Sequence, residues 1–299
     1  MQEILQTVIW MIAIVFAVTV AEMIRELHTF RVREYEIISP KLNGIKKNLQ
    51  VVLLSDLHNH VYGEKNKKLL DEIRKIHPDL ILVAGDMLVG KEDISWEVAA
   101  QFVEQLPEIC PVYYGNGNHE QRMKEQQEVY GDAFFSYKER LEKAGIHFLE
   151  NQTDQIKIAG RTIVVTGLEL PNSYYKKFRK HFLGKERLEE MLGKGETENF
   201  QILIAHNPVF FQDYRNWGAD LVVSGHLHGG IIRIPGVGGL ITPQAKLFPK
   251  YSGELTKEEE SYIAVSRGLG SHTVNIRLFN EAEIVALELK PEQEKEEDR

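Results

Sequence analysis

One pattern recurs along this chain and limits the folds open to it: short, wholly apolar runs that stop abruptly at residues able to do chemistry. Val51-Val52-Leu53-Leu54 runs into Ser55-Asp56-Leu57-His58, and Leu80-Ile81-Leu82-Val83-Ala84 into Gly85-Asp86. Val112-Tyr113-Tyr114 runs into Gly115-Asn116-Gly117-Asn118-His119-Glu120. Ile163-Val164-Val165 leads to Thr166-Gly167, Ile202-Leu203-Ile204-Ala205 to His206-Asn207-Pro208, and Leu221-Val222-Val223 to Ser224-Gly225-His226-Leu227-His228. Runs this short and this rich in Val, Ile and Leu read as strands buried on both faces. Helical periodicity lies between them over residues 66–76, 95–106, 134–144 and 185–192. Such alternation predicts an α/β sheet flanked by helices. Residues 29–38 partly alternate (Phe30, Val32, Tyr35, Ile37) and read as an edge strand, and 40–47 as a turn. No repeat of fixed period is present.

In open α/β sheets, sites form just beyond the carboxyl ends of the strands. Five of these six runs deliver Asp, His or Asn there, and five of the chain's eleven histidines fall in these segments. Asp56-Leu57-His58 and His226-Leu227-His228 each place two donors at i and i+2, which share a face in extended backbone. Taken singly, an Asp-x-His is more often a surface loop and a Gly-Asp a turn. The order of the motifs, each following a strand, carries the reading. Carboxylate, imidazole and amide oxygen without thiolate suit Mn, Fe or Zn rather than a structural cysteine-zinc site. One ion uses only three or four of the candidates Asp56, His58, Asp86, Asn118, His206, His226 and His228. Two ions sharing a carboxylate use them all, at the spacing of roughly 3.5–4 Å that clamps an in-line phosphoryl displacement.

Asp56-Leu57-His58, Gly85-Asp86, Gly117-Asn118-His119-Glu120, His206 and Gly225-His226-Leu227-His228 resemble the five motifs of the calcineurin-like metallophosphoesterases, over about residues 50–289. Ser266-Arg267-Gly268-Leu269-Gly270 and Ile276-Arg277-Leu278-Phe279-Asn280 are similar to the membrane-associated bacterial branch, which includes UDP-2,3-diacylglucosamine pyrophosphatase-type enzymes. Glu281-Ala282-Glu283 stands where that branch usually has a proline. The resemblance implies a four-layer α/β/β/α sandwich of two packed sheets covered by helices. It implies two divalent ions, with manganese favoured. Asp56, His58 and His228 would hold the first, Asn118, His206 and His226 the second, and Asp86 would bridge them. His119 would contact the phosphate and protonate the leaving oxygen. The implied activity is hydrolysis of a phosphodiester or pyrophosphate. The competing readings are a non-catalytic metal-binding scaffold on the same fold, and a nuclease. The net charge of −8 argues against binding to nucleic acid through its phosphates.

Residues 4–21 carry no charge, and as a helix they span about 27 Å, near the thickness of a bilayer core. No Lys or Arg precedes them, whereas Arg25, Arg31, Arg33, Lys41, Lys46 and Lys47 follow, so the positive-inside rule leaves the remainder in the cytoplasm. The alternatives are a signal peptide, with Thr19-Val20-Ala21 as a weak cleavage site and an exported domain following from it, and a core or interfacial helix, for which the run has no polar face. The expected organisation is an anchor over 1–24, a juxtamembrane segment with the first strand over 25–48, a metallophosphoesterase domain over 49–290, and a charged, disordered tail over 291–299.

The remaining features carry less. The lone Cys110 excludes an intrachain disulfide and reads as a small core residue. His60 and His272 either line the cleft or stand in solvated loops. His28, His77, His147 and His181 have no motif context. The aromatic and basic stretch from Tyr174 to Phe182 contacts anionic lipid or a substrate tail, or else is a solvated helix with its aromatics turned to the core. Residues 231–251, rich in Gly and Pro, form a loop suited to shaping access. Their Gly-Val-Gly-Gly lacks the Lys-Ser or Lys-Thr of a P-loop. A membrane anchor favours a lipid-linked phosphoester as substrate. Oligomeric state has no signal in the sequence.

Overall fold

The structure is a computed structural model, and it describes residues 1–176, 182–196, 198–230, 232–234, 238–241, 247–271 and 276–292. The strands are β1 (Phe30–Ser39), β2 (Leu49–Leu54), β3 (Leu80–Val83), β4 (Val112–Gly115), β5 (His147–Leu149), β6 (Gln152–Ile158) and β7 (Arg161–Leu168), then β8 (Phe200–Ala205), β9 (Leu221–Ser224), β10 (Ile232–Ile234), β11 (Gly238–Ile241), β12 (Leu255–Glu258), β13 (Ser261–Val265) and β14 (Ala282–Pro291). The helices are α1 (Gln2–His28), α2 (Lys67–Ile76), α3 (Glu97–Val103), α4 (Asn118–Glu125), α5 (Gln127–Tyr130), α6 (Ala133–Lys143), α7 (Lys185–Leu192) and α8 (Phe211–Trp217).

Two six-stranded sheets form, in the orders β1-β14-β2-β3-β4-β5 and β12-β13-β9-β8-β7-β6, with β10-β11 as a separate pair. The segments that the sequence marks as strands, β2, β3 and β4 in the first sheet and β7, β8 and β9 in the second, are parallel neighbours. β1 takes the edge position that its alternation predicts, paired in parallel with β14.

Buried side chains separate into three clusters, one for each interface between four layers. Along β2, Val52 and Leu54 join α2, α3 and α6 residues such as Leu69, Phe102 and Tyr137, while Val51 and Leu53 turn to the other side. There they meet Ile202, Ile204 and Val223 of the second sheet. From β8, Leu203 and Ala205 face Leu188, Phe211 and Tyr214 of α7 and α8. Alternation in a strand that is apolar throughout feeds two cores at once, which is why these runs contain no polar positions. The chain is therefore an α/β protein with the expected four-layer sandwich.

The Cys110 side chain packs against the first cluster, and burial pushes its thiol up to about 12. α1 contains an 18-residue window of mean hydropathy 2.4, none of it buried, so it is long and apolar enough to cross a membrane. It runs unbroken to His28 and leads through Thr29 into β1. The arginines after the apolar run do not stand free. Arg25 and Arg31 meet Glu281, and Arg33 meets the fully buried Glu283 at 2.7 Å. The acidic residues at the position of the missing proline are the partners of these arginines. At the other end, β14 continues through Pro291, so the charged tail is shorter than its sequence indicates, and 293–299 lie outside the described residues.

Candidate metal centre

β2, β3 and β4 end side by side in one sheet, and β8 and β9 do so in the other. The loops that follow converge between the sheets. Backbone hydrogen bonds lace them together: Asp56 N–H donates to the Gly85 carbonyl (3.0 Å), His58 N–H to that of Asp86 (3.1 Å), and Gly225 N–H to that of His206 (3.1 Å). The structure brings Asp56, His58 and His228 into one group of donor atoms lying within 4.8 Å of one another, and Asp86, His206 and His226 into a second. A third group joins His58, Asp86 and His119.

The pairs at i and i+2 meet for a different reason from the one their spacing indicates. Their backbone is not extended. Asp56, His58, Asp86, His226 and His228 have φ of 53°, 47°, 54°, 71° and 51°, all in the left-handed region. Each loop coils immediately after its strand, and the coil rather than the pleat turns the side chains inward. Such coiling needs close approach. A Cβ on Gly225 would lie 1.9 Å from Ser55 Oγ and 2.2 Å from Asp56 Oδ2, and one on Gly117 would lie 2.2 Å from Asp86 Oδ1.

Asp56, Asp86, His119, His206 and His228 are each held by an outer partner. Asp86 Oδ1 accepts from His119 N–H at 2.8 Å, which leaves Oδ2 at 3.2 Å from His206 Nε2, 3.9 Å from His58 Nε2 and 4.0 Å from His119 Nε2. Asp56 accepts from Ser55 Oγ (2.6 Å) and from His226 N–H (3.1 Å to each oxygen). Its Oδ1 lies 3.4 Å from His228 Nε2. His206 and His228 present Nδ1 to the carbonyls of Ala84 (2.6 Å) and Gly270 (3.1 Å), so each Nε2 keeps its lone pair for the centre. His119 is held the opposite way: Nδ1 accepts from Gly90 N–H at 2.8 Å, which places the proton of the neutral ring on Nε2.

Electrostatics follow from burying these groups together. Burial raises the Asp56 carboxyl to about 6 in spite of the nearby His206. Burial opposes charge on Asp86 as well, but the surrounding imidazoles, His206 first, draw it well below the usual carboxylate range. Burial also opposes charge on His206, yet Asp86 and Asp56 outweigh it and push the imidazole up to about 9.

The donor set fits divalent metal. His58 Nε2 and His228 Nε2 are 3.1 Å apart. That is the separation expected of two nitrogens each roughly 2.1 Å from one ion. Among the described residues Asn118 Oδ1, which is buried, has no hydrogen-bond partner, as suits a neutral oxygen set aside for a cation.

Several residues of the site escape the sequence reading. Glu120, fully buried, accepts from Asp86 N–H (2.9 Å), Met87 N–H (3.0 Å), Gly117 N–H (3.1 Å) and Tyr114 Oη (2.6 Å), so it ties the β3 and β4 loops together. Burial, with repulsion from Asp86, pushes it up to about 7. Arg277 donates to the carbonyls of Arg267, Gly268, Gly270 and Asn280. Asn280 Nδ2 donates to the His228 carbonyl at 2.7 Å. The only signal for Glu120 is its place beside Asn118-His119, and nothing in the local sequence marks Asn280 as the partner of a loop some fifty residues away.

Tyr174 and Tyr175 turn inward. Tyr174 stacks edge-on at 5.7 Å from Phe210, and Tyr175 at 5.1 Å from His226, in a short 3-10 turn rather than a helix. Residues 177–181, including His181, lie outside the described residues, as does His272. His60 packs against Tyr62 at 4.5 Å, and burial lowers its pKa. Among the described residues it joins none of the donor groups.

Residues 49–230 match the family model described as calcineurin-like phosphoesterase. The chain is 27% identical to the phosphodiesterase YaeI of Escherichia coli, over 85% of this chain and 88% of that protein. It is 26% identical to the metallophosphoesterase YkuE of Bacillus subtilis, over 89% and 87%. Among solved structures, the phosphopantetheinyl hydrolase PptH of Mycobacterium tuberculosis aligns with a TM-score of 0.47 at 13% identity, covering 78% of this chain and 96% of that one.

Proposed function

The chain belongs to the calcineurin-like phosphoesterase family and is a metallophosphoesterase, and from that premise we propose that it hydrolyses a phosphodiester or pyrophosphate bond at a centre of two divalent ions. The observation that carries the dinuclear reading is the position of Asp86. Its Oδ2 lies within 4 Å of both His206 Nε2 (3.2 Å) and His58 Nε2 (3.9 Å), and Asp86 is common to two donor groups. Asp56, His58 and His228 form one half of the centre, and Asn118, His206 and His226 the other, with Asp86 between them. When bound, the ions supply Lewis acidity toward the phosphoryl oxygens and acidify a water near neutral pH. The oxygen and imidazole donors, with no thiolate, suit Mn, Fe or Zn, and manganese is the ion that the family resemblance favours.

His119 serves the phosphate through Nε2–H. With Nδ1 occupied by Gly90 N–H, the ring enters the reaction as a neutral donor aimed at the same cleft. Doubly protonating it would cost that hydrogen bond. It therefore orients a phosphoryl or leaving oxygen by hydrogen bonding from Nε2–H, a bond that strengthens as negative charge builds on that oxygen. Asn118 contributes a neutral oxygen, which limits the negative charge facing an anionic substrate.

The apolar α1 and the positive flank behind it support a membrane-anchored enzyme with its catalytic domain in the cytoplasm and a lipid-linked phosphoester as substrate. The test of the centre is turnover of an aryl phosphodiester by protein reconstituted with manganese. The expected outcome is two equivalents of metal bound and a loss of more than about 100-fold in kcat/KM for Asp86→Ala, at least what removing an outer-shell partner costs. Manganese-stimulated activity that survives Asp86→Ala would sink the dinuclear mechanism.

A further inference from the structure

The segment directly after the ligand His228 forms a small sheet of its own. Antiparallel β10 and β11 pair through Ile232 and Ile241, a parallel bridge joins Ile232 to Leu278, and an antiparallel bridge joins Ile241 to Leu247. Arg233 N–H to the Leu278 carbonyl and Phe248 N–H to the Leu240 carbonyl, both 3.1 Å, secure the outer rows. These rows carry large apolar side chains in the open: Ile234 is 38% exposed, Leu247 61%, Phe248 59% and Phe279 54%. Apolar side chains grouped in this way on one small element mark a surface with a partner.

The same element is fixed to the end of α1. Phe279 immediately precedes Asn280, whose N–H donates to Glu26 Oε2 at 2.9 Å, and Glu26 is buried in the last turns of the helix. Glu26 lies five residues beyond Ala21, where the uncharged run ends, or about 7.5 Å along the axis. The headgroup region adds roughly 5–8 Å to each side of the hydrocarbon core. With α1 across a bilayer, Phe279 is thus held at headgroup depth. Asn280 also bonds the carbonyls of His228 and Gly230, so the sheet, the helix end and the metal loop form one connected unit.

We infer that Ile234, Leu247, Phe248 and Phe279 seat this small sheet in the bilayer interface beside α1, so that the metal centre takes phosphoesters presented at a lipid surface. The docking half rests on α1 crossing a bilayer, and the substrate half on the phosphoesterase reading above. The full chain is reconstituted with manganese in phosphatidylcholine vesicles. An environment-sensitive nitrobenzoxadiazole label is placed at Leu247→Cys or Phe279→Cys in a Cys110→Ser background, with Lys157→Cys on the exposed edge of β6 as control. Labels at 247 and 279 are expected to emit to the blue and to be quenched at least twofold by lipid carrying a doxyl group near the headgroup, while the label at 157 is not. Water-like, unquenched emission at all three positions overturns the docking. So does energy transfer between labelled copies without lipid quenching, which would make a second copy the occupant.

In the second arm, the triple variant Leu247→Ser/Phe248→Ser/Phe279→Ser keeps turnover of a soluble aryl phosphodiester within twofold. It loses about tenfold in kcat/KM on a phosphoester carried by vesicle lipid. Equal effects on the two substrates overturn the lipid-surface route. A wild-type chain inert toward both substrates while its labels are quenched reports failure of the catalytic reading and leaves the docking upheld.

Discussion

Left-handed backbone at a non-glycine residue costs on the order of 1 kcal/mol, and five residues of this centre adopt it. The strain is tolerated because hydrogen bonds over-determine the loops: Asp56 alone receives Ser55 Oγ and the His226 N–H. Such loops have no slack for volume. Gly225→Ala drives a methyl into Ser55 and Asp56, and we expect a loss of about 1–3 kcal/mol, the usual cost of overpacking, together with loss of manganese binding. Chemical unfolding and metal titration check both. Proton uptake is the second consequence at this scale. In the metal-free protein His206, pushed up to about 9, carries a proton at neutral pH, and its Nε2 must release that proton to bind metal. Manganese affinity is therefore expected to fall tenfold per pH unit as pH drops below about 9, and more steeply below about 6, where Asp56 also protonates. Calorimetry at pH 7.5 in buffers of differing ionisation enthalpy should count close to one proton released. A count of zero would contradict the charge state given to His206.

Strands buried on both faces announce themselves, because continuous apolar runs have little else to be in a soluble α/β domain. β2, β3, β4, β8 and β9, and with them the motifs at their ends, were legible for that reason. β6 was not, since Gln152–Ile158 is polar and half exposed at a sheet edge. β14 hides behind its acidic residues: Glu283 is fully buried, and Arg33 and Arg267 from other segments make that burial tenable. The site divides the same way. The proposed ligands and their order could be read locally, whereas Glu120 and Asn280 act through contacts with segments remote in sequence. The coiled loops were invisible because Asp and His serve equally well in extended backbone. Glu26 belongs to this class as well, an acidic residue at the end of an apolar helix whose carboxylate caps Asn280 N–H. Glu26→Ala leaves that buried N–H unpaired and is expected to cost about 1–3 kcal/mol, while Glu26→Gln keeps an acceptor and costs less. Thermal melts of the two variants, with manganese affinity measured alongside, check the link between helix and metal loop. Equal stability in both would break it.

At the scale of the whole molecule, the proposed ligands come from both halves of the sandwich. Asp56, His58, Asp86 and Asn118 follow strands of the first sheet, and His206, His226 and His228 follow strands of the second. Metal bound there bridges the halves and stabilises the folded state over the unfolded. At about 100 times Kd the gain is about 2.7 kcal/mol. For a domain of this size that is roughly 5–10 °C in Tm. Chelation should lower Tm by that amount and manganese should restore it, while Asp86→Ala should melt at one temperature with or without the ion. The order of the first sheet carries a further consequence, for synthesis. β14 lies between β1 and β2, paired in parallel with one and antiparallel with the other. A chain made from its amino end places α1 and β1 before β14, yet among the described residues β1 has no strand partner until residues 282–291 have emerged. The same late segment brings Asn280 to the His228 loop. Until that segment has emerged, the nascent chain has every proposed ligand but not the clamp that fixes the last of them, so activity is withheld until residues 280–291 are made.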